Sequence, residues 1–225
     1  MTDSLIIGLA IVMGFSFLFD AVAVWAVESS SLQKYRLRNP KVVPLSATNK
    51  YLRISLNGFF ALGLYFAFAY FFEGYVTNVG ALGPLHLVGE VLAILLLYDF
   101  LYYWMHRGFH RPPLMRLVHR THHKVRNPTA ADGLYLDPWD NAAGLSVFFL
   151  SVLIVGPIST TTFLTAVFVY ITINNINHTG IGLPHPIFKL TNHWARKHDI
   201  HHGVNPGRNY GTIFPIWDMM FGTYE

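Results

Sequence analysis

Long apolar runs alternate with polar, histidine-bearing stretches along the chain. Leu5 to Val27 is apolar except for Asp20, Ile54 to Phe72 carries no charge, and Leu85 to Met105 carries Glu90 and Asp99. About 20 apolar residues suffice to cross a bilayer as a helix. A fourth run, Ala142 to Ile173, is long for a single span, and Gly156-Pro157 divides it. Asp137-Pro138 supplies an N-cap and first-turn pair ahead of its first half, and Ser159 a cap for its second. The pattern predicts an all-α integral membrane bundle of four to five helices. Its spans fall at about 5–27, 54–72 and 85–105, followed by a helical hairpin over about 139–173 whose open ends return to one side. Ala21-Val22-Ala23 resembles a signal-peptide cleavage site. The leader Met1-Thr2-Asp3-Ser4 lacks a basic region and the apolar run continues through Trp25, so a retained anchor is expected.

The positive charges orient this bundle. Lys34, Arg36, Arg38, Lys41, Lys50 and Arg53 lie between the first two spans. Arg107, Arg111, Arg116, Arg120, Lys124 and Arg126 lie between the third span and the hairpin, and Lys189, Arg196, Lys197 and Arg208 follow it. These three stretches hold all 16 Lys and Arg, and the predicted topology puts them on one face. By the positive-inside rule that face is cytoplasmic. The chain of 225 residues then reads as a single membrane domain with a His-rich cap built from 106–138 and 174–225.

Composition narrows the chemistry. Hydrophobic residues are 52% and charged residues 12%, against roughly a quarter charged in ordinary globular domains. That excludes a disordered chain, a coiled coil and a lysine-coated nucleic-acid binder. The absence of cysteine excludes disulfide frameworks and thiolate-held metal clusters. Histidine, in contrast, occurs 12 times, as often as Asp and Glu together.

Most of these histidines are patterned. His106 and His110 form H-x-x-x-H. His119, His122 and His123 form H-x-x-H-H, which His198, His201 and His202 repeat, and His178 stands alone in Asn177-His178-Thr179-Gly180. Helix positions three and four apart lie about 5–6 Å apart at Cβ, close enough for two imidazoles to share one ion. Adjacent residues such as His122 and His123 diverge by about 100° and suit different ions. An H-x-x-H-H helix therefore suits two neighbouring metals, with its last His turned to the second. A solvated basic face would not need this grouping in three separate segments. His86 and His185 read as ordinary hydrogen-bonded histidines, and His193 sits near the last cluster but outside its spacing.

Asp99, Tyr103, His106 and His110 form one stripe on the third span. An ionisable residue inside a span is a functional candidate. Asp99 is two turns from His106, so it is expected to orient a ligand His from another helix, or else to meet water at the helix end. Asp199, inside the last cluster, is a second candidate for that orienting role. Two dications held by neutral imidazoles need such carboxylates or a bridging hydroxide.

Asp99 to Arg107 with His110, His119 to His123, and His198 to His202 resemble the His boxes of the fatty acid hydroxylase / sterol desaturase superfamily. Asn209-Tyr210-Gly211, Trp217-Asp218 and Phe221-Gly222-Thr223-Tyr224 resemble its C-terminal pattern. The resemblance covers roughly residues 90 to 225. It implies an integral-membrane non-haem di-iron oxygenase that uses O₂ to hydroxylate or desaturate a lipid: a fatty acyl chain, a sterol or a related apolar molecule. The ligands it implies are His106, His110, His119, His122, His123, His178, His198, His201 and His202. Asn174 stands where the family's third box often has a further His, so Asn174, water or His193 fills that position. Two iron ions are implied, with zinc able to replace them in purified protein.

No G-x-G-x-x-G fingerprint is present, so electrons are expected from a separate cytochrome b5-like, ferredoxin or flavin reductase partner, and a basic face suits an acidic carrier. No nucleic acid is expected. An apolar substrate could enter sideways from the bilayer past Tyr65, Phe66, Phe68, Tyr70, Phe71 and Phe72, for which packing is the competing role. The alternative function is a His-rich membrane metal transporter or sensor, disfavoured because the histidines follow the spans rather than sit within them. The membrane is the endoplasmic reticulum in a eukaryote and the inner membrane in a bacterium.

Overall fold

The computed structural model describes residues 1–29, 32–38, 47–77, 83–126 and 128–225. Lys41, one of the basic residues counted above, lies outside them. Eight α-helices are found among the described residues: α1 Asp3–Glu28, α2 Ala47–Phe71, α3 Glu73–Thr77, α4 Pro84–Phe109, α5 Pro138–Val155, α6 Thr160–Asn177, α7 Lys189–Asp199 and α8 Ile216–Met220. No strand occurs among them, only a single bridge between Arg36 and Ile181. Four helices, α1, α2, α4 and α5, are long and apolar enough to cross a membrane.

The hairpin forms as its punctuation requires. Asp137 accepts from Trp139 N at 3.1 Å and Ser159 from Thr162 N at 3.0 Å, so each helix starts at its expected cap. With these caps, and with α6 continuing to Asn177, both helices reach 18 residues, about 27 Å at 1.5 Å per residue. The Gly156-Pro157 turn packs on α3, where Ile158 N donates to Tyr75 O at 2.8 Å. At the opposite end Lys50 pairs with Asp132 at 2.6 Å and Arg38 with Asp199 at 2.7 Å. These two basic residues therefore join the polar cap, and Asn57 on α2 bonds Leu136 O beside them at 2.9 Å.

Aromatic packing holds the bundle together. Phe68 stacks on Phe149 at 4.3 Å between ring centroids, and Tyr98 meets Tyr170 edge-on at 4.9 Å. Such pairs contribute roughly 0.5–1.5 kcal/mol each beyond their buried area. Helices α1 and α6 run parallel, with Phe15 against Phe168 and Ser16 bonded to Asn175. The outer face of α1, including Ile11, Phe17, Leu18 and Trp25, stays exposed, as expected of a lipid-facing helix.

Candidate metal centre

Nine histidines converge where α4, α6 and α7 end, in two groups that share a wall. His106, His110, His119, His123 and His201 form one; His122, His178, His198 and His202 form the other. Within each, one ring nitrogen per residue lies within 4.8 Å of all the others. These are the eight residues of the spaced clusters together with His178. His86 instead pairs with Glu90 at 3.1 Å, His185 accepts from Ile187 N, and His193 lies against Tyr224. All three stay outside both groups.

The distribution corrects one expectation. Each H-x-x-H-H sends its first and last His to one group and its middle His to the other: His119 and His123 against His122, His198 and His202 against His201. The backbone gives the reason. Both segments carry a wide turn bonded five residues apart, Arg120 N to Met115 O at 2.8 Å and Asn205 N to Ile200 O at 2.9 Å. Widening a helix in this way rotates position i+3 away from the i, i+4 pair.

The donor geometry fits metal ions. Nε2 of His106 lies 3.0 Å from Nε2 of His119, which lies 3.0 Å from Nε2 of His123. In the second group His198 is 2.9 Å from His178 and 3.0 Å from His202, which is 3.1 Å from His122. The second nitrogen of most rings is already committed. Nδ1–H donates from His106 to Tyr210 O at 2.8 Å, from His178 to Asn174 O at 2.8 Å, from His201 to Arg208 O at 2.6 Å and from His202 to Val125 O at 3.1 Å. Nδ1 of His119 donates to Asp140 Oδ2 at 2.7 Å. With Nδ1 protonated, the Nε2 lone pairs face one another, which is repulsive unless a cation lies between them. Two nitrogens about 2.1 Å from one ion are about 3.0 Å apart at right angles and about 3.4 Å apart in a tetrahedron, and the spacings here, which include 3.4 Å between His178 and His122, span both. Nε2 of His110 and of His201 are buried with no hydrogen-bond partner among the described residues.

Burial keeps these rings neutral. It pushes His122, His198, His201 and His202 well below the ordinary imidazole value, with neighbouring histidines adding to the effect. His110 is lowered to about 4 and His123 to about 3, both chiefly by burial. Neutral imidazole is the form that ligates metal.

The two carboxylates expected to orient ligands do other work. Asp99 accepts from the backbone N–H of Thr212, Ile213 and Phe214 and from the Thr212 hydroxyl, at 2.7–3.0 Å, and touches no histidine. It clamps the C-terminal segment that supplies Tyr210 O. Asp199 pairs with Arg38 through its carboxylate and its carbonyl. The carboxylate–histidine bond belongs to Asp140, in the first turn of α5. Its sequence signal was a charge beside the Asp137-Pro138 cap, the same kind of signal that singled out Asp99. Asn174 acts on His178 through its carbonyl oxygen, while its side chain lines the cavity described below.

The C-terminal motif frames the first group. Asn209 sits at φ 55° between Arg208 and Tyr210, whose carbonyls receive His201 and His106. Its amide bonds Lys197 O and Glu225 O at 3.1 Å each, holding a backbone region that Asn tolerates better than most residues. Asp218 accepts from Tyr210 N, Gly211 N and the Thr223 hydroxyl. Gly180, at φ 63°, leaves its absent Cβ only 2.6 Å from Pro128 O, so a larger residue would not fit this turn after His178.

A cavity of about 380 Å³ leads from the histidines into the bundle. His119, His122, His178 and His198 line one end, and Met13, Ala61, Leu62 and Leu145 line the apolar remainder. Phe17 and Tyr51 border it and are also exposed on the outer surface, so it reaches the lipid-facing side between α1 and α2. Of the six aromatics from Tyr65 to Phe72 expected along the entry route, only Tyr65 lines it. Phe68 is buried in packing, and Tyr70, Phe71 and Phe72 are exposed. A second opening, on the cap side, is bordered by His123, His202, Arg120, Lys124 and Arg126.

Residues 91–223 match the family model described as fatty acid hydroxylase. The chain belongs to this family. The match takes in all nine converging histidines together with Asp99, Asp140 and the C-terminal frame. The chain is 29% identical over 149 residues to a methylsterol monooxygenase of Aspergillus fumigatus, covering 61% of this chain and 47% of that protein. It is 28% identical over 144 residues to a lathosterol oxidase of Rattus norvegicus, covering 64% and 47%. To a very-long-chain aldehyde decarbonylase of Oryza sativa subsp. indica it is 29% identical over 146 residues, covering 61% and 53%. The chain spans about half the length of these curated relatives. No solved structure matches it.

Proposed function

We propose that this fatty acid hydroxylase family chain is a membrane lipid oxygenase that uses dioxygen and external electrons to hydroxylate or desaturate an apolar lipid. The observation that carries this reading is the convergence of nine histidines, as five and four, at the end of a cavity open to the lipid-facing side. Such a site suits a substrate that arrives from the bilayer. The relatives named for methylsterol and lathosterol oxidation support the same chemical class.

His106, His110, His119, His123 and His201 would hold one ion, and His122, His178, His198 and His202 the other. Iron is the metal that membership of this family supports, although zinc binds imidazole-rich sites more tightly and can replace iron during purification. Bound iron would supply dioxygen activation. The protein's own contribution is positional. Asp140 and the carbonyls of Tyr210, Asn174, Arg208 and Val125 fix each imidazole with Nε2 toward the site. Leu134 and Leu136, which line the cavity, would help to keep water from the lipid. The cap-side opening puts Arg120, Lys124 and Arg126 beside one histidine of each group, a surface suited to an acidic electron carrier such as a cytochrome b5-like protein, ferredoxin or flavin reductase.

The one-sided basic residues support a cytoplasmic cap, in the endoplasmic reticulum of a eukaryote or the inner membrane of a bacterium. A metal transporter or sensor draws no support from a site at the bundle's end. The test is turnover of membrane lipids under ¹⁸O₂ with iron-loaded protein and a reductase. The expected result is label in a hydroxylated product, or loss of two hydrogens from the lipid. Label drawn from water would overturn the reading.

A further inference from the structure

Asp20 lies in the last third of the apolar helix α1, outside the family-matched region, and borders the cavity. Its Oδ1 is buried with no hydrogen-bond partner among the described residues. Of the other polar groups lining the cavity, Asp140 is bonded to His119, Asn141 to Asn57 and Asn175 to Ser16, whereas the Tyr65 hydroxyl is likewise buried without a partner among the described residues. Among the described residues, no Lys or Arg lines the cavity to neutralise Asp20. An unsatisfied carboxyl oxygen inside a membrane helix costs free energy and is retained where a ligand completes it.

Helix register gives its depth. Ser16 on α1 bonds Asn175 on the parallel α6 at 3.0 Å. Asp20 is one turn further along α1, about 6 Å, and His178 is three residues further along α6, about 4.5 Å. Asp20 therefore stands at nearly the same depth as the second histidine group. Ser16 and Asp20, four apart on α1, line the same face. Ser16 Oγ accepts from Asn175 and retains its own hydrogen to give.

The geometry points to Asp20 as a specificity-determining residue that accepts a hydrogen bond from a hydroxyl group on the lipid, with Ser16 donating to the same oxygen. This rests on the oxygenase reading. A hydroxyl fits both partners, because it donates and accepts. A protonated amine only donates, and a plain acyl chain does neither. Because the anchor and the histidines share one depth, the hydroxyl and the oxidised carbon lie at one end of the lipid. Its apolar body fills the space beside Met13, Ala61, Leu62 and Leu145. The substrate is then a hydroxylated lipid oxidised close to its hydroxyl.

Equilibrium binding to the purified, metal-loaded protein tests this with two tritiated pairs: lathosterol and its 3-deoxy analogue, and octadecanol and octadecane. Wild type should bind the hydroxylated member of at least one pair about tenfold more tightly, the scale of one hydrogen bond to a carboxylate. Asp20→Leu should remove that preference and change affinity for the deoxygenated member less than about twofold. Asp20→Asn, which keeps the volume and one acceptor, should retain part of it and guards against a folding defect in the leucine variant. Equal affinities within both pairs in wild type, or a preference undiminished in both variants, would overturn the assignment. A hydroxyl preference lost with Asp20→Leu, in a protein that incorporates no ¹⁸O, would support the anchor and reject only the oxygenase reading.

Discussion

His119 and Asp140 are joined across 2.7 Å, Nδ1 to Oδ2, in a buried contact between the segment after α4 and the first turn of α5. The bond fixes the imidazole so that Nε2 points at His106 and His123, 3.0 Å from each. It also brings a carboxylate to the edge of a centre otherwise built from neutral nitrogen. Carboxylate partners of ligand histidines typically account for 10–100-fold in metal affinity. Asp140→Leu should therefore weaken metal retention by about that factor in a chelator competition, and Asp140→Asn, whose carbonyl still accepts, by less. Unchanged retention in Asp140→Leu would remove this residue from the centre's support.

The spans and the histidine clusters were legible because both signals are local. A run of apolar residues, a Gly156-Pro157 break or an H-x-x-H-H spacing needs no knowledge of the rest of the chain. What stayed hidden depends on the tertiary arrangement. The partners of His106 and His201 are carbonyls of Tyr210 and Arg208, 104 and 7 residues away along the chain, and carbonyls have no side-chain signature. Asp99 was singled out for its charge in a span. Its partners proved to be backbone amides of Thr212, Ile213 and Phe214, a choice set by how the C-terminal segment crosses α4. The swap of His122 and His201 into opposite groups follows from widened turns that a regular helix pattern does not anticipate.

Asp99→Leu should be among the most destabilising single changes. It leaves the amides of Thr212, Ile213 and Phe214 and the Thr212 hydroxyl without their acceptor. Buried groups left unpaired cost about 1–3 kcal/mol each. The midpoint of thermal unfolding should fall and metal content should fall with it, because the freed segment carries Tyr210 O. A stable Asp99→Leu protein with full metal would contradict the clamp.

The histidines also set a pH dependence. In the unfolded chain they titrate near 6.5, whereas in the folded one burial lowers them, His110 to about 4 and His123 to about 3. Below 6.5 the unfolded state binds more protons, so unfolding free energy rises with pH in that range. Stability is fully present above about 6.5 and is lost progressively as pH falls toward 4. Thermal midpoints of metal-stripped protein at pH 7.5, 6.5 and 5.5 should decline in that order. A midpoint that rose on acidification would contradict neutral, buried imidazoles.

Because the chain has no cysteine, single-cysteine labelling can test the topology cleanly. Lys124 and Arg196 are exposed at the histidine end, and Leu85 is exposed at the other. Lys197 is a poor position, being buried against Gly211 O at 2.6 Å. Cysteines at Lys124 and Arg196 should react with a membrane-impermeant maleimide from the same side, and one at Leu85 from the other. Labelling of the first two from opposite sides would separate the two H-x-x-H-H clusters and rule out a shared centre.

His201 gives the sharpest single-residue test of that centre. It comes from the last cluster, yet its ring faces His106, His110 and His123, at 4.6, 4.7 and 4.9 Å between centroids. Its Nδ1 is already committed to Arg208 O, so only the unpartnered Nε2 is left to meet an ion. His201→Ala should lower metal content from about two ions per chain and abolish lipid oxidation. His86→Ala removes only an exposed contact with Glu90 and should leave both intact. His198→Ala should deplete the other group, so metal titrations of the two variants should lose different ions from the wild-type pattern. Full metal content and activity in His201→Ala would exclude that histidine from the site.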